Sequence, residues 1–216
     1  MAVPRTLPPP LESGDHLSRD EFHRRYLDHP EIKRAELVDG VVYVSSPVSN
    51  SHSEPHGVAV GWLLVFRASS PGIRLADNGT VFLPSGDEVQ PDACLYRVPP
   101  TGNVRLVKRR EGRHTVEYLE GAPEFVFEVA ASSASYDLHS KMRAYEQSGV
   151  LEYVVWQIYE QRITWFRLRD GRYVEVEADE NGVIESAVFP GLRLAIAKML
   201  SGDVAGVLAA LDGGDA

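Results

Sequence analysis

The stretch of sequence that decides the fold is residues 125–130, which read FVFEVA. Five of its six residues are apolar and Pro123 lies just before it, a pattern typical of a central strand buried on both faces. Glu128 is the exception. Because burying an unpaired charge is costly, a carboxylate in such a strand is paired with a cation, protonated or bound to a metal. A structural salt bridge explains Glu128 as well as a functional role does.

The residues after this run predict a helix and then more strands. Asp137 can cap a helix that runs to about residue 148, and Gly149 is well placed to end it. Lys141 lies one turn into that helix. A strand over residues 152–158 and a hairpin over 162–176 are predicted next.

The residues before the run predict a mixture of helices and strands. Ser18 and Glu21 form a capping box, which predicts a helix ending near residue 27. Asp39-Gly40 between β-forming residues predicts a hairpin. Further on, the pattern predicts a helix over residues 56–68 and strands over 73–82, 89–96 and 116–119.

These elements together predict an α+β fold, with a central mixed sheet flanked by helices. The chain of 216 residues is long enough for one domain with modest tails. We expect a flexible, proline-rich tail over residues 1–15, the domain over 16–200, and a C-terminal helix or tail over 201–216.

Composition limits the classes of function. No run approaches the roughly 20 apolar residues that span a bilayer, and no secretory signal is apparent, so a cytoplasmic location is expected. The net charge of −9 argues against a protein that coats nucleic acid. A local basic patch could still contact DNA, although a solvated hairpin explains it more simply. Its members are Arg105, Lys108, Arg109, Arg110 and Arg113.

Three residues in combination point to chemistry. Asp92 follows Pro91 near the start of a predicted strand, where a side chain can face a cleft. Glu128 lies within a later strand, and Lys141 lies on the helix that follows. Each alone has an ordinary explanation as a turn residue, a salt bridge or a solvated lysine. The ordered set favours a site.

At these positions the chain resembles the Uma-type putative restriction endonuclease family of the PD-(D/E)XK nuclease superfamily. The resemblance lies in residues 36–40 (ELVDG), 89–93 (VQPDA), 124–129 (EFVFEV), 137–145 (DLHSKMRAY) and 148–153 (SGVLEY). It implies a restriction-endonuclease-like fold for the domain and metal-dependent hydrolysis of DNA.

The resemblance also implies a role for each site residue. Asp92 and Glu128, with the backbone carbonyl of Val129, would ligate Mg²⁺ or Mn²⁺. Lys141 would orient the attacking water or stabilise negative charge on the phosphate. Glu36 would assist, and His56 is a possible accessory residue.

Two features depart from the superfamily pattern. The second motif is usually acidic-x-Lys, but position 130 holds alanine, so Lys141 on the next helix would replace the missing lysine. The 36 residues from Asp92 to Glu128 (128 − 92) imply an inserted excursion, which the basic segment would fill. Pro55 argues against one continuous helix through His52 and His56.

Two functions therefore come ahead of a third, a homo-oligomeric structural protein whose acidic cleft merely binds cations. The first is a Mg²⁺-dependent DNA endonuclease, possibly a homodimer because a duplex has two strands to cut. The second is a non-catalytic module that keeps the fold to bind nucleic acid or a partner. Retention of Asp92, Glu128 and Lys141 favours the enzyme, whereas the net charge and Ala130 favour the binding module.

Overall fold

The run FVFEVA forms the centre of a six-stranded sheet in the computed structural model, which describes residues 7–131 and 136–212. The spatial order in this first sheet is β12-β11-β10-β9-β6-β3. Its strands are β3 (Arg74–Asp77), β6 (Ala93–Tyr96), β9 (Phe125–Ala130), β10 (Glu152–Gln157), β11 (Arg162–Arg169) and β12 (Arg172–Glu175).

Strand β9 is buried along its whole length, as the sequence predicts. It pairs in parallel with β10, which places Glu128 opposite Val155, and antiparallel with β6. One face of the sheet packs on a cluster that includes Trp62, Phe127 and Trp165. The other face packs on a second cluster that includes Tyr145. With apolar groups on both faces of the sheet, the charge of the buried Glu128 depends on its polar neighbours.

A second six-stranded sheet has the order β2-β1-β5-β4-β8-β7. Its strands are β1 (Ala35–Val38), β2 (Val41–Val44), β4 (Val81–Phe82), β5 (Glu88–Val89), β7 (Arg105–Glu111) and β8 (His114–Glu120). The turn between β1 and β2 is Asp39-Gly40, and both residues have positive φ, as the Asp-Gly signal predicts. The predicted excursion between Asp92 and Glu128 is largely the long β7–β8 hairpin.

The helices are α1 (Arg19–Asp28), α2 (Asn50–Ala68), α3 (Met142–Ser148), α4 (Ile196–Ser201) and α5 (Val204–Ala209), followed by a 3₁₀ turn, Ala210–Asp212. Strands β13 (Val183–Glu185) and β14 (Arg193–Ala195) form a small separate sheet. A π-helical turn, Asp137–Lys141, leads directly into α3. Within the described ranges, no helix is long and apolar enough to cross a membrane. The layout is a restriction-endonuclease-like α+β fold.

The chain passes from one sheet to the other where the sequence predicts continuous strands. The predicted strand over residues 73–82 is divided between β3 and β4, with Asn78 at φ 51° between them. The predicted strand over 89–96 is likewise divided between β5 and β6. The interruption in the second case is Gln90-Pro91-Asp92, so Asp92 lies where the chain crosses between the two sheets.

Two other expectations from the sequence are wrong. Helix α2 begins at Asn50 and continues through Pro55, so His52 and His56 lie one turn apart on the same helix. Pro55 is the sixth residue of this helix and lacks an N–H, so the carbonyl of Ser51 loses its usual backbone partner while the helix continues. Residues 7–15 are not a loose tail, because Leu11 is buried and Gly14 donates a hydrogen bond to the carbonyl of Val42. Residues 1–6 and 213–216 of the expected tails lie outside the described residues.

Candidate active site

Asp92 is held at the crossing between the sheets by three neighbours. Its Oδ1 accepts a hydrogen bond from Arg34 Nη1 at 2.9 Å. Its Oδ2 accepts one from the backbone N–H of Val129 at 2.8 Å and lies 3.2 Å from His52 Nε2. The side chain is 3% exposed. These contacts connect the start of β6 to β9 and to α2.

Glu128 lies next to Asp92 on the neighbouring strand. Its Oε2 accepts a hydrogen bond from the backbone N–H of Asp92 at 3.3 Å. Its Oε1 lies 2.6 Å from Lys141 Nζ and accepts a hydrogen bond from the Tyr145 hydroxyl at 2.8 Å. The predicted neighbourhood of Asp92, Glu128 and Lys141 is therefore present in the structure.

Lys141 reaches this point from the π-helical turn before α3. Its side chain is 2% exposed, and its Nζ lies 3.1 Å from Glu36 Oε1 and 3.8 Å from Asp137 Oδ1 in addition to Glu128. Ala130, two residues after Glu128 on β9, has no charged side chain. The ammonium group of Lys141 therefore supplies the positive charge next to Glu128. Lys141 is buried because three carboxylates compensate its charge.

Glu36 joins the cluster from β1 of the second sheet. Besides contacting Lys141, it accepts a hydrogen bond from the backbone N–H of Gln90 at 2.6 Å and one from the Tyr136 hydroxyl at 3.4 Å. Lys141 therefore links carboxylates from both sheets, and the cluster lies where the sheets meet.

The buried environment shifts the ionisation of these groups in different directions. Burial raises the pKa of Glu128 to about 8, and the neighbouring carboxylates add to this, while Lys141 opposes it. Burial alone would also raise the pKa of Asp92, but its contacts with His52 and Arg34 hold that pKa well below its ordinary value. Burial by itself would lower the pKa of Lys141, but the neighbouring carboxylates of Glu128 and Glu36 hold that pKa above its ordinary value. Near neutral pH, Lys141 and Asp92 are charged and Glu128 is close to its titration.

The cluster forms one wall of a cavity of about 180 Å³. The charged groups that line it are Arg34, Glu36, Asp92, Glu128, Asp137 and Lys141, with His52 beside them. With every carboxylate ionised, four negative charges face two positive charges. A cavity with this charge favours a cation.

The donor set can be tested against the metal that the resemblance implies. Among the described residues, no three His, Cys, Asp or Glu side chains form a ready-made metal cluster. The expected set is smaller, since it consists of two carboxylates, a backbone carbonyl and water. Asp92 and Glu128 supply adjacent carboxylates, and their oxygens suit a hard cation such as Mg²⁺. The residues present therefore fit the group.

The predicted DNA-contact residues are not brought to this cluster. Strands β7 and β8 form the far edge of the second sheet, with β5 and β4 between them and β1. At about 4.8 Å per strand, β7 lies roughly 19 Å from β1. Cross-strand ion pairs join Arg105 to Glu120 at 2.6 Å and Lys108 to Glu117 at 3.4 Å.

The sequence pattern does not predict every residue of the site. Arg34 was missed, although it lies two residues before Glu36 and so shares its side of an extended chain. Tyr145 lies one turn after Lys141 and so shares its side of the helix, which is a usable signal, although core packing is the ordinary explanation for a tyrosine at such a position. His52 contacts Asp92 because α2 starts earlier than predicted. His56, a predicted accessory residue, contacts the backbone carbonyl of Asp92 and the Asp77 carboxylate, both at 3.0 Å.

Comparison with known proteins identifies the family of the chain. Residues 19–197 match the model of the Uma2 family, described as "Putative restriction endonuclease". The chain belongs to the Uma2 family. The match covers the two sheets, the cluster and α3, so the Uma2 assignment includes every residue of the candidate site.

A solved structure supports the fold. A protein described as a putative nuclease belonging to DUF820, from Anabaena variabilis ATCC 29413, superposes with a TM-score of 0.64. The two chains are 13% identical, and the alignment covers 86% of this Uma2 chain and 98% of the other. At this identity, the similarity concerns the fold alone. No protein with curated annotation matches the chain.

Proposed function

We propose that this Uma2 protein is a divalent-metal-dependent DNA endonuclease that hydrolyses phosphodiester bonds. One observation carries the proposal: Glu128 Oε1 lies 2.6 Å from Lys141 Nζ while Glu128 Oε2 accepts a hydrogen bond from the backbone of Asp92. Residues that are 49 positions apart in the sequence (141 − 92) thus form one buried group facing a cavity. A strand carboxylate beside a second carboxylate and a lysine is the arrangement that the family resemblance associates with metal-dependent hydrolysis of DNA.

Asp92 and Glu128 would hold Mg²⁺ or Mn²⁺. The backbone carbonyl of Val129 is the third proposed ligand, because the N–H of Val129 bonds to Asp92 and the two groups of one strand residue point towards the same edge. Glu36 would hold a water of the metal or a second ion. When bound, the cation supplies an electrophile for the phosphate and lowers the pKa of the attacking water.

The chain's own residues have separate tasks in the proposed hydrolysis. A water molecule loses a proton as its oxygen forms a bond to phosphorus, a phosphorus–oxygen ester bond breaks, and the leaving oxygen takes up a proton. Lys141 keeps its positive charge near neutral pH and stabilises negative charge that develops on the phosphate. Tyr145 holds Glu128 in position through its hydroxyl.

The proposal extends to the partner and the location. DNA is the proposed substrate, a homodimer would place two sites on a duplex, and the cytoplasm is the proposed location. Arg105, Lys108, Arg109, Arg110 and Arg113 stay a predicted DNA contact.

The test is cleavage of supercoiled plasmid with Mg²⁺ or Mn²⁺, comparing wild type with Asp92→Asn. The matched control is Glu152→Gln, because Glu152 is also fully buried and paired with an arginine but lies outside the cluster. We expect nicking or linearisation by wild type and the control and none by Asp92→Asn. Folded wild type that cleaves neither plasmid nor single-stranded DNA with either metal would favour the non-catalytic binding module.

A further inference from the structure

Asp92 and Glu128 do not present their oxygens equally to the cavity. Asp92 Oδ2 is close to two donors, Val129 N–H and His52. Glu128 Oε1 is likewise shared by Lys141 and Tyr145. In contrast, Asp92 Oδ1 is engaged by the Arg34 guanidinium at 2.9 Å. Of the two Asp92 oxygens, Oδ1 has fewer contacts, and a metal that binds there meets Arg34.

Arg34 differs from Lys141 in how firmly it is enclosed. Its side chain is 21% exposed, whereas that of Lys141 is 2% exposed. Arg34 lies before β1, at the lining of the cavity, and also donates hydrogen bonds to Asn78 Oδ1 and the carbonyl of Gln90. Because it borders solvent and its other partners lie at the sheet crossing, it can leave Asp92 without opening the core.

Arg34 compensates part of the negative charge of the cavity. Four carboxylates line the cavity, and Lys141 alone compensates them incompletely. Arg34 supplies a second positive charge, and a neighbouring carboxylate pair without it would repel. A guanidinium and a divalent cation both need the lone pairs of Asp92 Oδ1, so the two cannot occupy that oxygen together.

We propose that Arg34 is an exchangeable counter-ion of Asp92, which occupies the metal-facing oxygen in the metal-free protein and leaves it when a divalent cation binds. This inference rests on the proposed function, since it requires Asp92 to be a metal ligand. Arg34 is then a positioning residue: it keeps the Asp92 carboxylate ionised and oriented, and it sets the concentration of metal at which the site fills.

The experiment is a titration of the full chain with Mn²⁺ by isothermal calorimetry, without DNA, comparing wild type with Arg34→Gln. Glutamine removes the charge and keeps a polar side chain. We expect Arg34→Gln to bind Mn²⁺ about tenfold more tightly, because a like charge close to the bound cation is removed. A residue with a merely structural role would leave the affinity unchanged or weaken it.

The matched control is Arg167→Gln. Arg167 is 19% exposed and pairs at 2.9 Å with the fully buried Glu152, which closely resembles the Arg34–Asp92 pair, but it lies on β11. We expect this control to leave Mn²⁺ affinity unchanged. If Arg34→Gln does not fold, Arg34→Lys is measured instead. Lysine keeps the positive charge but has a shorter side chain and competes less well for Asp92, so we expect a gain in Mn²⁺ affinity that is smaller than the tenfold gain expected for Arg34→Gln.

The outcomes separate this inference from the proposed function. Wild type that binds Mn²⁺ with an Arg34→Gln variant of equal or weaker affinity overturns the role of Arg34 and leaves the metal site standing. The double variant Arg34→Gln/Asp92→Asn is compared with Asp92→Asn alone. If it still binds Mn²⁺ more tightly, the role of Arg34 is also overturned, since the competition must occur at Asp92. Absence of Mn²⁺ binding by both wild type and Arg34→Gln overturns this inference and the proposed metal dependence together.

Discussion

Replacing Glu128 with glutamine gives a test of the cluster that does not depend on catalysis. Burial raises the pKa of Glu128 from its ordinary value of 4.5 to about 8 in the folded chain. A carboxyl group with a raised folded pKa stabilises the fold below its unfolded pKa, and this contribution is lost as the pH rises through the folded pKa. The metal-free wild type is therefore expected to lose stability between about pH 4.5 and 8.

The size of the effect follows from the two pKa values. At about 1.36 kcal/mol per pH unit, the full difference of about 3.5 corresponds to about 5 kcal/mol. Between pH 5.5 and 7.5, inside that window, the expected loss is about 3 kcal/mol. Glu128→Gln resembles the protonated carboxyl group but cannot ionise, so it lacks this loss.

The assay is urea unfolding of both proteins across pH 5.5–7.5, with a chelator to exclude metal. With a slope of about 1–3 kcal/mol per molar urea, the wild-type midpoint is expected to fall by about 1 M or more relative to Glu128→Gln. Titrating groups outside the cluster are common to both proteins and cancel in the comparison. Parallel pH profiles for the two proteins would refute the raised pKa of Glu128 and the burial argument behind it.

Three further predictions concern the lysine, its tyrosine neighbour and the basic hairpin. Lys141→Met leaves buried carboxylates without their counter-ion, so unfolding free energy is expected to fall by about 3–5 kcal/mol; a loss below about 1 kcal/mol by urea unfolding would contradict the buried pair. Tyr145→Phe removes one hydrogen bond to Glu128, so a loss of about 1–3 kcal/mol is expected, with slower plasmid cleavage than wild type but faster than Lys141→Met. Arg110→Gln combined with Arg113→Gln is expected to lower the salt dependence of DNA binding by up to about 2 in the log–log slope, and an unchanged slope would leave the hairpin merely solvated.

The elements that the sequence predicts well are those encoded by neighbouring residues. The run over residues 125–130 forms β9 because nearly every side chain in it is apolar. The Asp39-Gly40 turn forms because few other residues adopt positive φ at both positions. Gly149, with φ 85°, ends α3 for the same reason. In these cases the physical cause lies within a few residues of the element.

The elements that the sequence predicts poorly depend on distant partners. The runs over residues 73–82 and 89–96 have uniform β patterns, yet each is divided between the two sheets. The start of α2 at Asn50 brings His52 to Asp92, a contact with a residue 40 positions away that the local signal of Pro55 does not reveal. The π-helical turn before α3 carries Lys141, whose contacts with three carboxylates come from residues that are mostly distant in the sequence.

The sequence by itself determined the central strand, the hairpins and the identities of Asp92, Glu128 and Lys141 as a candidate set, because these depend on local pattern and on the cost of burying a charge. Only the tertiary structure decided that Arg34 pairs with Asp92 and that the basic hairpin lies at the far edge of the second sheet. Both depend on which strands become neighbours. Strand order is set by the packing of whole sheets, which no short run of residues encodes.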